Sequence, residues 1–146
     1  MTEPLDLAMP ADGDRSARAA SLRSRAAVQA GDREAWLGLF ATDGVVQDPV
    51  GISTLDPVGD GHRGAEARAA FWDNVIGPNP ITMDVYASHA GGYEVANVVT
   101  INTSFPDGSK AMVDIVAIYR VDGDGDILSL RAFWEFDQLR FEPAPA

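Results

Sequence analysis

The 146-residue chain contains no cysteine. That absence removes disulfide bonds, thiol nucleophiles and thiolate metal ligands together. Histidine is nearly as scarce: His62 and His89 are the two present, too few for a histidine-built metal site. Basic residues are also in short supply, 11 Lys and Arg against 22 Asp and Glu, for a formal net charge of −11. So acidic a chain repels a phosphate backbone, which argues against nucleic acid as a partner. Nor is there a basic stripe suited to an anionic membrane. No apolar run approaches the ~18 residues of a bilayer span. The opening MTEPLDLAMPADGD is acidic and lacks the basic start and apolar stretch of a secretion signal. A soluble, cytoplasmic protein is the expectation.

What is present suits a single α+β domain. The hydrophobic content of 46% is enough for one core or one enclosed cavity. Residues 1–13, rich in Pro, Asp and Gly, read as a flexible N-terminal tail, residues 14–140 as the domain, and 141–146 as a C-terminal tail. Asp14 is a candidate N-cap for an alanine-rich helix that stops at Gly31, and Asp32 for a second helix through DREAWLGLFATDG. A short strand is expected at 45–50, then a Gly/Pro/Asp-rich loop, then a third helix over 65–75 that offers Phe71 and Trp72 for burial. Beyond Ile81 the pattern turns strand-like near 82–89, 93–105, 110–121 and 126–139. The separators AGG, PDGS and DGDG imply antiparallel hairpins. Helices first and a hairpin-linked sheet afterwards define the α+β class.

Strand parity then selects an inner face. In 112–121 the set Val113, Ile115, Ala117, Tyr119 and Val121 is apolar, while the alternate set carries Asp114 and Arg120. In 95–105 the more apolar set is Val95, Asn97, Val99, Ile101, Thr103 and Phe105. Helices laid across the concave side of such a sheet would leave a pocket lined by Val99, Ile101, Ile115, Ala117 and Phe71. No arginine falls on these strand sets. The other face, with Val116 and Ile118, suggests a homodimer.

VVQDPVG, residues 45–51, is the most informative stretch. It sets one carboxylate, Asp48, inside an apolar run. Burial there would raise its proton affinity and suit it to act as a base on an apolar substrate. The competing reading is an Asp that caps a turn before Pro49.

Three segments, AGDREAWLGLFATDGVVQDPVG, HRGAEARAAFW and IYRVDGDGDILSLRAFW, carry a resemblance to the ketosteroid isomerase branch of the SnoaL-like, NTF2-like superfamily. The resemblance spans about residues 15–140. It implies a cone-shaped α+β barrel with three N-terminal helices on a curved antiparallel sheet, homodimers, and a small apolar ligand, steroid or polyketide-like. It also implies that Asp48 is the base that moves a proton between C4 and C6 of a 3-oxo-Δ5 steroid, without metal or organic cofactor. That enzyme's pKa logic is a worked case of general physical chemistry. The family's two oxyanion donors, a Tyr and a protonated Asp, fall on Ser24 and Ala117. Tyr119, Asn97 and Trp134 are candidate replacements, each with an alternative reading as core or pocket wall. Steroid isomerisation, ligand binding without catalysis, and a polyketide cyclase or dehydratase reaction are the functions this allows. His62, before the third helix, and His89, at a turn, are minor candidates.

Overall fold

The computed structural model describes residues 3–146. Helix α1, Ala17–Ala30, is built on small residues: Ala17, Ala20, Ser21, Ser24, Ala27 and Val28 form a buried stripe at helical spacing. Small side chains let the helix lie close to the sheet. They also place two hydroxyls against it. The helix begins two residues later than expected, because Ser16 adopts extended backbone and its hydroxyl accepts from the Ala19 N–H. Asp14 instead accepts from the Ser16 N–H at 2.9 Å. Gly31 ends the helix with a left-handed φ of 65° and donates its N–H to the Ala27 and Val28 carbonyls.

Asp32 caps the second helix as expected, but α2 is a single turn, Arg33–Leu37. The chain then enters β1, Phe40–Gln47. Tertiary pairing overrides the helical pattern here: Ile127 donates to the Leu39 carbonyl, and a Cβ on Gly44 would stand 2.6 Å from the Ile127 carbonyl. The short strand β2, His62–Arg63, pairs with Val45 and Val46. It precedes α3, Gly64–Phe71, which continues as a π-helical turn, Trp72–Ile76. Two strands therefore separate α3 from the first two helices. Trp36, Phe40, Phe71 and Trp72 close this end of the core, with the Trp36 ring 4.8 Å from Phe40 and 5.5 Å from Trp72. Truncating a fully buried Trp to Ala typically costs about 3–5 kcal/mol.

Strands β3, Ile81–Gly91, β4, Glu94–Ser104, β5, Lys110–Val121, and β6, Ile127–Phe133, follow in hairpin order. The sheet runs β2-β1-β6-β5-β4-β3. It is curved and mixed rather than antiparallel, since β1 lies parallel to β6. β1 arrives from the helices and not through a hairpin, so nothing forces it antiparallel. The expected last strand breaks after Phe133; a 3₁₀ turn at Phe136–Gln138 leads to β7, Arg140–Glu142, which pairs with the start of β5. Residues 141 and 142 thus belong to the sheet and not to a tail. At the other end, the Leu5 N–H donates to the Val85 carbonyl and Leu7 packs on the core. Arg23 also donates to the carbonyls of Ala11 and Asp14. The N-terminal segment is fastened to the domain along part of its length; residues 1 and 2 lie outside the described chain.

Candidate functional site

Two cavities lie between the helices and the inner face of the sheet. The larger, about 770 Å³ of atom-free space including its mouth, is walled by Leu55, Phe71, Val75, Ile81, Trp134 and Leu139 among others. The smaller, about 480 Å³, lies on the α1 side and is walled by Ser21, Leu22, Arg25, Val99, Ile115 and Ala117 among others. Asp48, Met83, Ile101, Tyr119 and Leu130 line both. Mostly apolar walls with a few polar groups among them suit a small organic ligand.

Asp48 follows the end of β1, and the peptide bond to Pro49 is cis. The Val50 N–H returns to the sheet at the Ala132 carbonyl, 2.9 Å away. Trp134, just past β6, is thereby brought beside the same turn, and its indole Nε1–H donates to Asp48 Oδ1 at 2.6 Å. The carboxyl presents some surface to the cleft, so the residue counts as half-buried. Around the carboxyl itself, protein packs as densely as in the interior. That density governs its protonation: burial pushes the pKa above the ordinary 3.8, opposed by the Trp134 bond and by the charge of His62.

Tyr119 projects from β5 into the same cleft. Its hydroxyl donates to Ser24 Oγ at 2.9 Å, and Ser24 Oγ also accepts from Trp36 Nε1–H at 3.1 Å. Burial pushes the phenol up to about 12, against the Ser24 hydrogen bond and with the negative charge of Asp48 adding to the rise. It is therefore neutral, and a hydrogen-bond donor, throughout the physiological range. Ser24 and Tyr119 together form one buried polar cluster, so a phenol reaches this wall from the strand where α1 offers only a serine.

Asn97 is buried at 5% exposure and stands directly across from Ala117 in the β4–β5 register. Its Nδ2 donates to Ser21 Oγ at 3.0 Å, while its Oδ1 is buried without a partner among the described residues. An unpaired buried acceptor typically costs about 1–3 kcal/mol. As a candidate oxyanion donor, Asn97 therefore has one of its two amide N–H bonds already engaged by the helix.

The remaining histidines part ways. His62 pairs with Val46, its ring 4.8 Å from Phe71, and its Nε2 lacks a partner. His89 is exposed on β3, away from the cleft. Strand parity and helical spacing do not single out Ser21, Met83 or Leu55, and give Trp36 no polar part. Two serines three residues apart on the buried stripe of an alanine-rich helix were the available signal. Strand parity also puts no arginine near the pocket. Arg25 of α1 does line the smaller cavity, although its Nε–H is taken by the Met83 carbonyl at 2.7 Å.

A SnoaL-like domain model matches residues 22–130. The chain belongs to the SnoaL-like family, within the NTF2-like superfamily. Among solved relatives of this SnoaL-like domain, a Δ5-3-ketosteroid isomerase from Mycobacterium sp. is 43% identical, with a TM-score of 0.82 over 86% of this chain and 98% of that one. The Mycobacterium tuberculosis protein RV0760c, solved in complex with estradiol-17β-hemisuccinate, is 37% identical, with a TM-score of 0.80 over 86% and 98%. A steroid Δ-isomerase of Nocardioides simplex is 28% identical over 127 residues, 87% of this chain and 96% of that protein.

Proposed function

We propose that this protein binds a steroid-like polycyclic ketone in the cleft and shifts its double bond with Asp48 as the base. One observation carries the reading: Asp48, raised in proton affinity, opens into an apolar cleft that a neutral phenol, Tyr119, also lines. In this reading the Asp48 carboxylate removes a proton from the carbon beside the ketone and gives the dienolate. The same carboxyl returns the proton two carbons further along, so no cofactor is consumed. Tyr119 donates its hydroxyl hydrogen to the oxygen on which charge develops, in place of Ser24 Oγ, whose own hydrogen then turns to the phenol oxygen. Trp134 holds one carboxylate oxygen and leaves the other to the substrate.

The test is conversion of 5-androstene-3,17-dione to its conjugated enone, followed by ultraviolet absorbance. The wild type should turn over, and Asp48→Asn should lose about 10²–10⁴ in rate, the usual worth of a positioned base. Equal rates in the two proteins would remove Asp48 from the mechanism.

A second reading is supported by Ala117, which leaves the cleft with one phenolic donor where the resemblance implies two. In that reading the protein holds a steroid- or polyketide-like ligand without turning it over. Tight binding unchanged in Asp48→Asn, with no enone formed by either protein, would favour it. The outer face of the sheet supports a homodimer in either case. Val98, Val116 and Phe133 stand in register across β4, β5 and β6, each more than a third exposed. Sedimentation at micromolar concentration should show two copies; a monomer alone would refute the pairing.

A further inference from the structure

The orientation of the Asn97 amide is fixed by a chain of hydrogen bonds that starts on α1. Ser21 Oγ lies 2.7 Å from the Arg18 carbonyl. A carbonyl only accepts, so the single hydroxyl hydrogen of Ser21 is committed there. The serine oxygen is left as an acceptor and must face an N–H, which identifies the atom 3.0 Å away as Asn97 Nδ2. Asn97 Oδ1 is thereby turned away from the helix. It is buried and unpartnered, on a side chain that lines the smaller cavity together with Asp48 and Tyr119.

Buried acceptors without a partner are rare in folded proteins and call for an explanation. Water is one candidate, but most of this cavity's wall is apolar, and Ser21 and Arg25 on it already donate to backbone carbonyls. Ala117, directly across the strand from Asn97, lines the same cavity and carries only a methyl, so no polar side chain reaches the amide from that position. An unpartnered acceptor on a side chain of the cavity wall calls for a donor on the ligand. The polar groups of the cleft are thus unlike one another. Tyr119 offers a hydrogen to a ketone or enolate oxygen, whereas Asn97 Oδ1 repels such an oxygen and receives a hydroxyl.

Resting on the proposed apolar-ligand reading, we propose that Asn97 is a specificity-determining residue whose Oδ1 accepts from a hydroxyl of the ligand. The preferred ligand is then a polycycle with two unlike oxygens, one ketone and one alcohol, rather than a diketone. Ser21 is the positioning residue that keeps the amide in this orientation.

Calorimetric titration of the wild type with androst-4-ene-3,17-dione and with its two single alcohols, reduced at C3 or at C17, tests this without assuming which end enters first. One alcohol should bind on the order of tenfold more tightly than the dione, the scale of one net hydrogen bond. In Asn97→Leu that advantage should fall to about twofold or less. Ser21→Ala, which removes one buried oxygen atom, frees the amide to turn its N–H groups into the cavity and should erode the advantage as well. It serves as the test if Asn97→Leu does not fold. Equal binding of the three compounds by the wild type, or an alcohol preference that survives in either variant, overturns the inference while leaving Asp48 chemistry intact. Failure of all three to bind overturns the apolar-ligand reading itself, and this inference with it.

Discussion

Asp48 and Asp114 are the same residue set on opposite sides of one sheet, and their surroundings drive them apart. Asp114, midway along β5, faces outward, where it accepts from Thr100 Oγ1 at 2.7 Å and from Arg140 at 2.9 Å. The Arg140 hydrogen bond, and then that of Thr100, hold its pKa below the ordinary value. Asp48 has an indole N–H and the His62 imidazole, and burial outweighs both. The difference teaches that the chemistry of a carboxylate here follows from the face it occupies. One face satisfies its acid; the other leaves it eager for a proton.

Removing a polar group from the inner face should produce the largest effects, and the exposed surface supplies the controls. Tyr119→Phe removes the phenolic donor but keeps the ring; loss of one oxyanion donor costs about 10²–10³ in rate. Tyr93→Phe, on a residue 64% exposed, should leave the rate unchanged. Enone formation measured for both variants checks the contrast. A Tyr119→Phe enzyme as fast as the wild type would show that the developing charge is held by some other group.

A smaller change is expected from Trp134→Phe, and pH reveals it best. The base works when ionised, so the rate should fall as pH drops through the Asp48 pKa, which lies above 3.8. The Trp134 N–H is the largest influence that lowers this pKa. Without it the pKa moves further up, and the acid limb of the kcat/KM profile should shift to higher pH with a modest loss of rate at neutral pH. A profile that stays in place would mean that the indole does not tune the carboxyl.

Much of this arrangement was legible in the residues, for reasons that differ by region. The hairpins after Ile81 announce themselves because alternation of apolar and polar side chains is local, and the turns between them carry Gly, Asp and Pro. Gly31 and Asp32 mark helix ends for equally local reasons. The failures are tertiary. Nothing near Phe40 reveals that Ile127 will donate to the Leu39 carbonyl and draw the chain into a parallel pair, so α2 reads too long and the sheet reads antiparallel. At the site, DPV in an apolar run singles out Asp48. The Trp134 bond spans 86 positions and the Tyr119–Ser24 bond 95, so no window of sequence shows either. Asn97 is the instructive case. Its inner parity is readable, but whether it offers an N–H or an oxygen depends on Ser21, 76 positions away.

Stability against pH should give the smallest effects, with opposite signs for the two aspartates. Asp48 has a raised pKa in the folded state. Its favourable contribution is complete below the unfolded value of 3.8 and is lost as pH rises through the folded value, where the buried carboxyl must ionise. Asp48→Asn, which cannot ionise, should therefore melt at a higher temperature than the wild type at neutral pH, the gap closing on acidification. Asp114 has a lowered pKa, so its contribution is present above 3.8 and is lost as pH falls through the folded value. Asp114→Asn should melt slightly below the wild type at neutral pH and match it in acid. Its deficit should be the lesser of the two shifts, because an exposed pair with Arg140 is screened by water and salt. Melting temperatures of the three proteins across this range decide the matter. Gaps of the same sign at neutral pH would mean that the two faces do not treat their carboxylates differently.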